Sequence, residues 1–265
     1  KPYSQKFFDF TRDMAEKTSD VDNKTVPFGY FEAGATYHFR DFESSGKTKM
    51  FLYKKSYKGN RWAARVPLSA DIPCKVRKIY GGRIGAINWK SSVSVSRIQD
   101  DQGWTNADLK DSEGNALPLT WMNGVEEENL DVFSNINSLG GYVGGSIAII
   151  RNVAVDIDKH EEGIYDLIFT AYFDVLFAAS NTVDDIFYTG DDLVQRTYSI
   201  EPLKTSSIGF RLGMEGKFNR MLSWAYGGEL GMRPGVSGSG FYALLKISFP
   251  VFGTNLDYKV ESFGK

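Results

Sequence analysis

The stretch SSIGFRLGMEGKFNRMLSWAYGGELGMRPGVSGSGFYALLKISFPVF, residues 206–252, decides the fold. Over 208–218, Ile208, Phe210, Leu212 and Met214 share one face, while Gly209, Arg211, Gly213, Glu215 and Lys217 share the other. That division follows from the strand period of two. Over 222–233, Leu222, Trp224, Tyr226, Leu230 and Met232 alternate with Ser223, Ala225, Gly227, Glu229, Gly231 and Arg233. Over 239–251, Phe241, Ala243, Leu245, Ile247, Phe249 and Val251 stand opposite Tyr242, Leu244, Lys246 and Ser248. Strands this long, apolar on one side and carrying glycines and charges on the other, predict a membrane β-barrel with a polar interior.

The same rule extends through the chain. It predicts strands over 27–40, 47–55, 76–89, 138–158 and 165–177, the last an unbroken alternation of Tyr165, Leu167, Phe169, Ala171, Phe173, Val175 and Phe177 against polar positions. A first strand built like the last is what closure requires. Long polar segments at 99–137 and 181–205, with 234–238, fall on one side of this arrangement, and the short turns at 158–163 and 219–221 fall on the other. Outer-membrane barrels sort long outer loops from short periplasmic turns in this way. The expectation is an all-β, transmembrane, antiparallel up-and-down barrel of about eight strands, with long extracellular loops. Ten strands are the alternative, because the connection at 56–75 leaves room for a hairpin within 41–75. A polar segment, 1–26, precedes the barrel at 27–252, and a tail, 253–265, follows it.

Composition excludes several classes. Aromatic residues make up 14% of the chain and glycines number 27, as interface belts and crowded interiors require. A net charge of −2 offers no general attraction for nucleic acid. Cys74 is the only cysteine, which excludes an intrachain disulfide and a multi-cysteine metal site. Asp20, Asp22 and Asn23 lack the glycine and distal glutamate of a calcium loop and read as a solvated linker. The pairs Gly140-Gly141 and Gly144-Gly145 are not followed by the Lys-Ser/Thr of a phosphate loop. No cofactor or metal is expected. A chain starting at Lys1 rather than at an initiator methionine reads as a mature form. Trp62, Trp89 and Trp224 suit interface anchors.

On this alternation and these aromatic strand ends, residues 27–252 resemble small Gram-negative outer-membrane barrels of the OmpA, OmpX and OmpW type. The abundance of Phe, Tyr and Gly with acidic loops is similar to outer-membrane proteins of the Bacteroidota. The chain departs from the pattern at its end, where 253–265 continue past the aromatic Phe252. The resemblance implies an integral protein of the outer membrane, surrounded by its lipid.

Folding the 208–218 and 222–233 strands about 219–221 makes residues whose numbers sum to about 440 neighbours, which sets Arg211 opposite Glu229. The next turn sets Glu229 beside Leu244 and diagonal to Lys246. Arg211, Glu229 and Lys246 should therefore form a lumen charge network, joined by Glu215, Arg233, Glu32, Asp166 and Asp174, because charges in a narrow barrel must be paired. Two readings follow: a salt-bridged plug, or a narrow channel for ions and small polar solutes. Catalysis is disfavoured, since His38 and His160 fall at opposite ends and share no site. Trp104 and Trp121 in the long loop serve either recognition or local packing. The expected function is that of a non-enzymatic structural or interaction protein, a subunit of a larger secretion or barrel-assembly machine, with other envelope proteins as partners and loops that carry recognition. A soluble, lipocalin-like barrel is the remaining alternative, and it would turn its apolar faces inward.

Overall fold

The computed structural model describes residues 21–26, 28–53, 68–123, 126–158, 160–190, 192–217, 224–238, 240–249 and 262–263. Strand elements run β1 (Gly29–Leu52), β2 (Leu68–Ser94), β3 (Thr120–Asn123), β4 (Glu126–Asn129), β5 (Phe133–Arg151), β6 (Ala154–Ile157), β7 (Gly163–Ile164) and β8 (Leu167–Val183). They continue as β9 (Ile186–Thr189), β10 (Gln195–Tyr198), β11 (Thr205–Ser206), β12 (Ile208–Lys217), β13 (Ala225–Met232), β14 (Gly235–Val236), β15 (Phe241–Ser248) and β16 (Ser262–Phe263). One helix, α1 (Val95–Gln102), follows β2. The main sheet has seven strands in the order β1-β2-β5-β8-β12-β13-β15, every neighbour antiparallel.

This sheet rolls up. In a flat sheet β1 and β12 would stand about 19 Å apart, four strand spacings. Arg211 on β12 nevertheless donates to Glu32 on β1 at 2.6 Å. Glycines on the concave side permit the curl: a Cβ on Gly213 would collide with the Tyr172 ring, and one on Gly85 would lie 2.6 Å from Tyr142. The convex face is apolar and open, with Phe31 67%, Ile208 69% and Leu245 93% exposed. The concave face holds buried charge, with Asp174 at 0% and Arg211 at 1%.

One end of the roll is capped. Helix α1 starts at Ser94, whose hydroxyl accepts from the Arg97 amide, and stops at Gly103 in the left-handed conformation. Val95 and Ile98 from α1 pack with Leu109, Leu117, Leu130, Val132, Ile186 and Tyr198 in one apolar cluster that reaches Trp89 and Ile136 of the sheet. The segments expected to be long polar loops are therefore a folded layer with its own core.

Several expectations are corrected. Among the described residues the main sheet has seven strands, not eight or ten, because the predicted 27–40 and 47–55 strands are one element, β1, with an irregularity between His38 and Arg40. Exposed ion pairs lie across the ladder in the polar stretch where the apolar alternation stops: Arg77 with Asp41, and Lys75 with Glu43 at 3.2 Å. The connection at 56–75 gives way to β2 from Leu68. Pro73 is tolerated there because β5 joins β2 only from Val76, so Pro73 has β1 on one side alone. β1 and β15 have no ladder between them among the described residues, so the expected closure of first strand onto last is not made. Asp22 and Asn23 are not a solvated linker: Asn23 Nδ2 donates to the Asp185 carbonyl at 2.8 Å, and Asp22 Oδ2 accepts from Thr189 and Gln195. Trp89 is not an interface anchor but a buried, inward residue beneath the cap, 2% exposed. Trp62, the turn at 219–221 and most of the tail lie outside the described residues.

Candidate functional site: the charged interior

Period-two alternation on seven strands aims the ionic and tyrosine side chains at one another. Arg211 is the hub. Its Nε donates to Asp174 Oδ2 at 2.7 Å, and its two terminal nitrogens donate to both oxygens of Glu32 at 2.7 and 2.6 Å. This fork-on-carboxylate geometry is the strong form of the pair. Asp174 is shared, since Arg83 Nε donates to its other oxygen at 3.0 Å. Tyr30 donates to Glu32 at 2.7 Å.

A second centre forms around Glu229. Tyr172 and Tyr242 hydroxyls donate to it at 2.7 and 2.6 Å, and Lys246 Nζ donates at 2.5 Å. Lys246 also lies 3.8 Å from Glu215, which sits half-exposed at the rim. Arg211 Nη1 joins the two centres at 4.0 Å from Glu229. Aromatic faces cover the cations: Arg83 on Tyr172 at 4.1 Å, Arg211 on Tyr142 at 4.3 Å, and Arg233 on Tyr242 at 4.0 Å and Tyr30 at 4.5 Å. Four cations, Arg83, Arg211, Arg233 and Lys246, face four carboxylates, Glu32, Asp174, Glu215 and Glu229, so the cluster is neutral. Burial without such pairing costs several kcal/mol per ion, on the order of 3–5 when one partner is removed.

The predicted network is thus brought together in seven of its eight members. Asp166 is the exception: it precedes β8 at the uncapped end and accepts from the Val153 amide at 3.1 Å. The register is also shifted, with Arg211 opposite Gly231 and Glu229 opposite Gly213, so Arg211 and Glu229 are diagonal rather than facing. Glu229 does lie opposite Leu244, with Lys246 opposite Gly227 beside it. Arg83 and the four tyrosines went unassigned, although each shares strand parity with an inward charge or glycine. That parity was the available signal.

His38 stands well along β1 with Gly81, not near its capped end, and His160 is half-buried at the uncapped end with Nδ1 3.1 Å from the Asp158 carbonyl. Among the described residues no group of His, Cys, Asp and Glu is placed to hold a metal ion. Trp104 and Trp121 are half-buried against the cap cluster, and Trp104 Nε1 donates to Gln102 at 3.2 Å. Comparison with protein-family models, with characterised proteins and with solved structures finds no match to this chain.

Proposed function

We propose that the protein is a non-enzymatic β-barrel integral to a Gram-negative outer membrane and a subunit of a larger envelope assembly, with its cap serving as the recognition surface. The observation that carries the membrane reading is the inverted polarity of the sheet. Phe210, Val175, Val143 and Ile84 stand side by side on the convex face of four strands, and all are more than 40% exposed. Soluble monomers rarely expose apolar patches beyond about 300–600 Å2. A lipocalin-like barrel would show the opposite arrangement.

The two sheet edges support the subunit reading. β1 and β15 both run away from the capped end, so one strand antiparallel to both would complete eight. Arg233 lies between the Tyr30 ring of β1 and the Tyr242 ring of β15, which brings the edges within side-chain reach. One inserted strand spans about 10 Å. Open edges do not persist in hydrocarbon, where unpaired backbone groups each cost several kcal/mol. Extraction tests both parts. Release without detergent would defeat the membrane reading, and a solitary monomer after mild detergent extraction would defeat the subunit reading; the expected result is a complex released only by detergent.

A further inference from the structure

The convex wall has a depression that the fold itself does not demand. Gly82 and Gly145 face each other across β2 and β5 on the outer side. A Cβ on Gly82 would meet nothing within 4 Å, and one on Gly145 would meet only the Gly81 carbonyl at 3.8 Å. They differ in this from the concave glycines, whose space Tyr142 and Tyr172 occupy. The missing side chains leave an apolar groove of about 610 Å3, with Phe39 and Tyr80 on one flank and Phe173 and Leu212 on the other. That size lies within the range of small-ligand sites, about 300–1,000 Å3.

Three cations share the outer face at the uncapped end of this groove. Arg40 is the register partner of Tyr80, and Lys78 follows on the same face of β2. Arg151 on β5 lies diagonal to Lys78, whose direct partner is Ile149. Diagonal neighbours are about 7–8 Å apart, so one anion reaches adjacent members. None of the three is in an ion pair among the described residues, whereas Lys75, Arg77, Arg83 and Arg211 all are. Arg40 and Arg151 rest on the rings of Phe42 and Tyr165, and Arg151 Nε is buried with no acceptor among the described residues. A cation cluster beside an apolar belt calls for an anion.

We infer that the groove and its three cations form a binding site for an anionic phospholipid, with one acyl chain lying over Gly82 and Gly145 and the phosphate at Lys78, flanked by Arg40 on one side and Arg151 on the other. Guanidinium forks suit phosphate oxygens, and the apolar floor suits a hydrocarbon chain. This inference rests on the membrane reading above.

Native mass spectrometry of the detergent-extracted protein, offered phosphatidylglycerol and phosphatidylcholine in equal amounts, tests it. The expected result is one retained phosphatidylglycerol, preferred by about tenfold. Arg40→Gln/Lys78→Gln/Arg151→Gln should abolish the preference, and Gly145→Leu, which fills open space, should lower retention of both lipids by about tenfold. Unchanged lipid binding in both variants, or displacement of the lipid by an equal concentration of inorganic phosphate, would overturn the site. A protein that inserts into phosphatidylglycerol vesicles and shows no lipid preference overturns this inference alone, whereas one that stays in water overturns the membrane reading.

Discussion

The rolled sheet and the cap bury opposite kinds of side chain. In the sheet, Arg211 and Asp174 are buried while Leu212 and Phe173 face outward; in the cap, Leu109, Leu117 and Val132 are buried, and Asp111, Glu113 and Asp192 face outward. The cap follows the ordinary rule for a domain in water, in which apolar burial drives folding. The sheet inverts that rule, with an apolar outer face and an interior that neutralises its own charge, which is the pattern the proposed membrane setting requires. One chain carries both rules, and the boundary falls at the level of Trp89 and Ile136, which belong to the sheet by pairing and to the cap by packing.

The largest expected effect falls on the hub of the interior. Arg211→Ala leaves Asp174 and Glu32 without their shared guanidinium, and we expect a loss of about 3–5 kcal/mol, read by urea unfolding in micelles. A loss below about 1 kcal/mol would mean that the pairs are hydrated and the interior is wet. The corresponding change in the cap is Leu117→Ala. It should cost about 2–5 kcal/mol by cavity formation, and limited proteolysis should then cut within the cap while the sheet stays resistant. Simultaneous loss of the sheet would show that the two regions fold as one.

Leu212→Arg separates the two solvents directly. In a bilayer, an arginine at mid-depth on the outer face costs about 2–4 kcal/mol. In water the same exposed position would shift stability by no more than about 0.5 kcal/mol. Refolding equilibria in lipid vesicles and in detergent-free buffer discriminate the outcomes.

The smallest expected effect is in the cap. Asn115 donates from its side chain to Asp111 at 3.0 Å, and the Glu113 and Asn115 amides add bonds at 2.9 and 2.8 Å. These hold the Asp111 carboxyl below the usual aspartate range, the Asn115 side chain most of all. Because the folded value is depressed, the stabilising contribution is complete above the ordinary aspartate pKa and is lost as pH falls through the folded one. Amide exchange at Glu113 and Asn115 should therefore quicken only in acid, with the apolar cap core still protected. Exchange independent of pH-driven opening would place the turn's order elsewhere.

Much of the sheet is legible along the chain, for a physical reason visible in β12. There a single face is buried, so every second residue is constrained, and Arg211 and Glu215 must point together. β1 is legible at both ends but not across 41–46, where polar residues face β2 without apolar alternation. The cap was the larger surprise. Its apolar residues are spread singly from Val93 to Val236 without a local period, so only the fold collects them into one core. Asp166 was misplaced because parity says which face a residue takes but not where its strand begins, and β8 begins one residue later.

By itself the sequence determined the all-β class, the inward parity of Glu32, Asp174, Arg211, Glu229 and Lys246, and the sorting of long segments to one end. All of these follow from the period of two and from connection length, which are local. Only the tertiary structure decided that Glu32 meets Arg211 across the roll, that Arg83 shares Asp174, that the long segments form a cap, and that β1 and β15 share no ladder among the described residues. Those outcomes depend on how far seven strands curl and which edges meet, and curl is set by the twist of the whole sheet and the side chains filling its concave face, not by any one stretch of chain.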